Sequence, residues 1–144
     1  MPKKVAISTE VYCTLQVEGL HHWPECPYAE VSYLQSLHRH LFHIKAYKKV
    51  THDNRDVEFI VLKHRIEEYL YETYLNDFLN VLDFKNMSCE MIAKKLISKF
   101  DLSRCEVSED GENGAIVTVE GEVKTHKLHD GSDNISEEEK SENA

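Results

Sequence analysis

Apolar and polar positions alternate with a period of two along residues 4–19. Val5, Ile7, Thr9, Val11, Leu15 and Val17 fall on one side, which predicts a long strand ended by Gly19. His21, His22 and Trp23 follow at once, and Pro24-Glu25-Cys26-Pro27 reads as a turn or loop. Residues 28–36 fit either a loop or a short irregular helix. Alternation returns from Leu37 to Val50: His38, His40, Phe42, Ile44 and Ala46 share one face, and Leu41, His43, Lys45 and Tyr47 share the other. The polar run from Thr51 to Arg55 reads as a turn.

The period becomes helical between Val57 and Leu75, where Phe59, Leu62, Ile66, Tyr69, Leu70 and Thr73 form a stripe. Asp56 or Glu58 near its start suits the helix dipole. A second helix is expected from Ser88 to Phe100, with Ser88 as N-cap and Ile92, Leu96, Ile97 and Phe100 on the buried side. Residues 76–87, between the helices, are apolar but show no regular period. Arg104 to Glu109 alternates again, and Asp110-Gly111-Glu112-Asn113-Gly114 reads as a hairpin connection whose glycines supply positive φ. Ala115 to Val119 completes the hairpin. Two strands, two helices and two strands predict an α+β domain, a four-stranded antiparallel sheet covered on one face by two helices.

Composition adds boundaries to this picture. The 144 residues suit one domain, and the net charge of −9 argues against a nucleic-acid or acidic-membrane partner. Residues 130–144 hold six acids against Lys140, so −5 of that charge lies there. That stretch is Ser, Asn and acid without an aromatic, which predicts a folded domain over 1–126 and a disordered acidic tail over 127–144. No apolar run is long enough for a transmembrane helix, and the amino-terminal residues lack the apolar core of a secretory signal. Cys13, Cys26, Cys89 and Cys105 are scattered, which suits reduced thiols and a cytoplasmic protein.

The candidate chemistry centres on histidine. On an extended strand His38 and His40 point the same way, about 7 Å apart along the backbone. With a third imidazole from a neighbouring segment they make three corners of a zinc tetrahedron and leave the fourth open, the arrangement of catalytic zinc. Strand histidines at this spacing are also ordinary surface residues. His43 faces away from the pair. His21 and His22, adjacent at a strand end, face opposite ways, so one of them at most joins the pair.

In the same order, several short stretches resemble the 6-pyruvoyl-tetrahydropterin synthase and 6-carboxytetrahydropterin synthase family, of the tunnelling fold. Val17-Glu18-Gly19-Leu20-His21 is similar to that family's first zinc-histidine motif, and Leu37-His38-Arg39-His40 to its Leu-His-Gly-His. Glu58-Phe59 with Leu62-Lys63 resembles the opening of its first helix, Met87-Ser88-Cys89-Glu90 that of its second, and Val107-Ser108-Glu109 the strand ending in its pterin-anchoring glutamate. The resemblance spans roughly residues 5–120. It implies zinc on His21, His38 and His40, a pterin held by Glu109 with Ser88 and Glu90 nearby, and a homo-oligomer, trimer or hexamer, whose sheets close into a barrel. It also implies a lyase or synthase acting on dihydroneopterin triphosphate or a related pterin, in tetrahydropterin or 7-deazaguanine (queuosine) biosynthesis. The chain departs from the family at the proton-transfer groups. Leu34 stands where the catalytic cysteine belongs, and Tyr71 and Glu72 where an Asp-His pair belongs. Cys26, five residues after His21, is the candidate replacement, an ordinary loop cysteine being the plainer reading. Glu25, Glu30 and His64 are further candidates. Three functions follow: a zinc-dependent pterin enzyme, a pterin- or purine-binding protein with the same pocket, and an oligomer merely braced by zinc.

Overall fold

A computed structural model of the chain describes residues 5–121, so the acidic tail expected over 127–144 lies outside the described residues. The first strand, β1 (Thr9–His21), is followed by a 3-10 segment (Ala29–Gln35) and β2 (His38–Val50). Then come α1 (Phe59–Tyr74), the short strands β3 (Leu75–Asn76) and β4 (Val81–Asp83), and α2 (Cys89–Phe100). The hairpin of β5 (Arg104–Glu109) and β6 (Asn113–Thr118) ends the described chain. The α+β class is as expected. The sheet has six strands, ordered β3-β4-β1-β2-β5-β6, in place of the four expected. It is mixed, because β4 runs parallel to the end of β1, with Gly19 opposite Leu82 and Leu20 opposite Asp83.

β1 and β2 form its centre, in register from Thr9 opposite Val50 to His21 opposite His38. That register corrects both ends of the first strand. β2 stops at Val50, so Val5 and Ile7 have no partner strand there and lie exposed. At the other end β1 runs through Gly19 to His21. Gly19 is required there by packing: a Cβ would come within 2.6 Å of the buried Phe84 ring.

One face of the sheet carries the core. Cys13, Leu15 and Val17 of β1, Phe42, Ile44 and Ala46 of β2, and Cys105 and Val107 of β5 point to the same side. Against them α1 sets Leu62, Ile66 and Leu70, and α2 sets Ile92, Ala93 and Leu96. Each such large side chain contributes roughly 1.5–3 kcal/mol by leaving water. Phe59 and Thr73, expected in the α1 stripe, are exposed, and Ile97 and Phe100 of α2 are half-buried. Both helices start on side-chain caps: Glu58 accepts from the Ile60 N–H at 2.8 Å, and Ser88 from the Met91 N–H at 3.2 Å. The second is the cap that the sequence predicts. Helix α2 ends on Asp101 in the left-handed region, with its last carbonyls, Phe100 and Asp101, accepting from the Lys48 ammonium.

The hairpin differs in detail from its reading. Gly111 takes the positive φ, together with Asp110, whereas Gly114 already belongs to β6. Gly114 is needed for closeness instead: a Cβ there would sit 2.2 Å from the Val107 carbonyl oxygen.

Candidate metal centre and adjoining cavity

The ends of β1 and β2 bring the three histidines together. His21 lies directly opposite His38, and His40 lies opposite Gly19, one pleat further along the same face. Directly opposed residues have Cβ atoms about 5 Å apart, so imidazoles there meet. One nitrogen from each of His21, His38 and His40 lies within 4.8 Å of the others.

What fixes the rings is on their far sides. His21 Nδ1 donates to the Met87 carbonyl at 2.9 Å, and His38 Nδ1 to the Ser36 carbonyl at 2.8 Å. His40 Nδ1 is 2.8 Å from Asp110 Oδ2. Carbonyl oxygens only accept and a carboxylate does the same, so each Nδ1 carries the proton. In the neutral ring Nε2 then holds the lone pair, which is how metal-binding histidines are oriented by their outer partners. All three Nε2 atoms are buried and lack a hydrogen-bond partner of acceptable geometry. Buried polar atoms seldom go unpaired. Three convergent imidazole nitrogens fit a divalent metal of borderline softness. The cluster can hold a metal ion.

Glu109, at the end of β5, reaches the same point. Its Oε2 is 2.9 Å from His21 Nε2 and its Oε1 3.6 Å from His40 Nε2. The His21 contact holds the Glu109 carboxyl below the usual carboxylate range despite its burial. Burial acts to lower the His21 pKa, but Glu109 and the Met87 carbonyl outweigh it and the net shift is upward. Burial, with the neighbouring imidazoles, lowers that of His38. The carboxylate thus draws positive charge to the spot where the nitrogens converge.

A cavity of about 440 Å³ opens beside the centre. His21, His38 and Glu109 form one wall, and Ser88 and Glu90 from the start of α2 form another. Trp23, Leu34, Met87 and Met91 supply its apolar surface. Of the two adjacent histidines, His21 joins the cluster; His22 lines the cavity, its Nδ1 donating to the Lys85 carbonyl at 3.0 Å. The structure therefore gathers His21, His38, His40, Glu109, Ser88 and Glu90, every residue named for metal or substrate. It does not bring Cys26 to the cavity. That thiol is buried beneath the 3-10 segment and faces the Val31 and Tyr28 carbonyls at 3.7 and 3.9 Å. Glu25, Glu30, His64, Tyr71 and Glu72 are exposed and outside the lining. All four cysteines are free thiols.

Two contributors escape a reading of the sequence. Asp110 looks like a hairpin residue only, yet its Oδ1 accepts from the Leu41 N–H at 2.9 Å while its Oδ2 holds His40. Trp23 looks like part of a loop; its place directly after two histidines is the only signal of its role. Fold and site define the class: an α+β chain with a three-histidine centre, capable of holding metal, beside a carboxylate-lined cavity. No protein-family model matches the chain. No curated protein matches it either. No helix among the described residues is long and apolar enough to cross a membrane.

Proposed function

We propose that this chain is a zinc-dependent, pterin-processing lyase or synthase of the 6-pyruvoyl- or 6-carboxytetrahydropterin synthase type, working as a homo-oligomer with a tunnelling fold. The observation that carries the reading is the convergence of three outward-anchored imidazoles on a point that Glu109 also reaches. His21, His38 and His40 would hold the ion, which supplies Lewis-acid polarisation of a substrate oxygen. The chain's own groups do the rest. Glu109, in reach of both the centre and the cavity, accepts hydrogen bonds from the amino and ring N–H of a pyrimidinone edge, a charge-assisted contact. Glu90 and the Ser88 hydroxyl lie on the same cavity and offer further polar contacts. Trp23, Leu34, Met87 and Met91 exclude water around the ring.

The second reading is a binding protein with the same ligand and no turnover. The observation favouring it is Leu34, an alkyl side chain in the cavity wall where a proton-transferring thiol would be needed, with Cys26 turned away. One experiment separates the two. Zinc-loaded protein is incubated with dihydroneopterin triphosphate and, separately, dihydroneopterin, and products are followed by mass spectrometry. New pterin products that vanish with His38→Ala are the expected result. Ligand retained over hours with no product would establish the binding protein instead. Fewer than about one zinc per three chains after loading would remove the basis of both.

A further inference from the structure

The core face of the sheet ends in polar residues on three neighbouring strands. On β1 the inward series Cys13, Leu15 and Val17 runs on to Gly19 and His21; on β2 the series Ala46, Ile44 and Phe42 runs on to His40 and His38. On β5, Cys105 and Val107 run on to Glu109, which lies opposite Phe42 in the ladder. Alternation therefore places the Glu109 carboxylate in the same terminal row as the three imidazoles. Its oxygens lie 2.9 Å from His21 Nε2 and 3.6 Å from His40 Nε2. Two ligands bonded to one tetrahedral zinc at about 2.0–2.1 Å are roughly 3.3–3.4 Å apart, so these are the spacings of co-ligands. Neither nitrogen has a hydrogen-bond partner of acceptable geometry, so the carboxylate flanks them without ending them. Asp110, the next residue, sits on the other side of His40, at Nδ1. Of the two carboxylates, Asp110 fixes the ring and Glu109 reaches the point where the ring nitrogens converge. A carboxylate drawn partly out of water is stable there when it is paired or bound to a metal.

We propose that Glu109 is the fourth ligand of the metal centre in the absence of pterin, and that the donor edge of an incoming pterin competes with the metal for this one carboxylate. A bidentate hold on two N–H groups of the ring edge uses both oxygens, so the two roles exclude each other. With the carboxylate on the metal, the divalent charge is half offset and the fourth position is closed to water. With the carboxylate turned to the ring edge, the position opens and the full charge faces the substrate oxygen. The inference rests on the zinc centre and the pterin anchor of the reading above, and adds that one excludes the other. Phosphorylated and unphosphorylated pterins carry the same ring edge and compete alike.

Cobalt(II) in place of zinc makes the coordination visible, because its absorption in the visible range follows the number and type of its ligands. Azide then probes for an open position. The wild-type cobalt protein is expected to keep its spectrum when azide is added. Pterin without its side chain carries the donor edge but no side-chain hydroxyl to reach the metal. Its binding should change the wild-type spectrum and make it responsive to azide. Glu109→Gln, which keeps the side-chain size and removes the charge, should respond to azide with no pterin present. It should also bind zinc about tenfold or more weakly in a chelator competition. The wild-type measurements stand whether or not the variant folds. A wild-type spectrum that responds to azide alone, or unchanged zinc affinity in Glu109→Gln, overturns the inference and leaves the pterin reading intact. So does an unchanged wild-type spectrum while calorimetry shows pterin bound. Failure of pterin, neopterin and dihydroneopterin triphosphate all to bind the zinc-loaded protein overturns the pterin reading itself, and the inference with it.

Discussion

The side chain that most clearly does two things is Asp110. One oxygen receives the Leu41 N–H and the other the His40 ring, so a single carboxylate closes the β5–β6 turn against β2 and aims a metal-binding nitrogen. Asp110→Asn keeps a residue tolerant of the positive φ found here but leaves only one acceptor oxygen. Metal affinity should fall about tenfold or more, with little loss of thermal stability in the metal-free protein; a competition titration with a chromophoric chelator measures it. An unchanged affinity would show that His40 needs no such partner. This residue also marks where the sequence stops being informative. His38 and His40 are legible because strand alternation dictates their common face; alternation also says that only one of His21 and His22 can join them, and the choice of His21 rests on the family resemblance alone. Asp110 in an Asp-Gly turn is accounted for by turn chemistry alone, so nothing local announces a partner seventy positions away. Cys26 shows the converse: closeness to His21 in the chain does not carry its thiol to the cavity, because the 3-10 segment folds over it.

Among the elements, the long strands and both helices follow from periodicity, since each repeats its pattern over several residues. The strands β3 and β4 do not, being two and three residues long. They exist because Leu82 and Phe84 are buried against the end of β1, a pairing between distant segments that a local pattern cannot express. The β5–β6 hairpin offers a test at this level. Gly114 faces Ser108 in the ladder, and the nearest atom to an added Cβ is backbone, which cannot swing aside. Gly114→Ala should therefore destabilise the fold by about 1–3 kcal/mol, the usual cost of forced overpacking, read from urea unfolding. Because Glu109 and Asp110 leave the same hairpin, its metal affinity should drop as well. Ser88→Ala, which removes the hydroxyl that accepts from the Met91 N–H, should cost about 1 kcal/mol.

Across the described residues, the core lies under one sheet face and the centre sits at the edge of that core. Burial pushes the Cys105 thiol up to about 12, with Cys13 and Glu106 adding to it, and burial with Glu109 does the same for Cys89. Neither is a thiolate near neutral pH. Both should resist a thiol reagent such as iodoacetamide in the native protein and react on unfolding, with mass spectrometry of the labelled peptides as the check. Rapid native labelling of Cys105 would mean that the core opens far more readily than its packing implies.

The centre also ties distant parts of the chain to one another. His21 brings the end of β1 and, through the Met87 carbonyl, the approach to α2; His38 and His40 bring the start of β2; His40 and Glu109 bring the β5 turn. An unfolded chain holds none of these groups in place, so an ion bound there favours the folded state by mass action. At a free concentration a hundred times the dissociation constant the gain is about 2.7 kcal/mol. For a domain of this size that corresponds to a rise in Tm on the order of 10 °C. Removing zinc with a chelator should reverse it. His38→Ala should abolish the shift while leaving the metal-free Tm nearly unchanged, because His38 is at the edge of the core and not part of its packed cluster. A variant that lost both together would make His38 a packing residue. A wild-type protein with no zinc-dependent shift would mean that the three lone pairs do not act as one site.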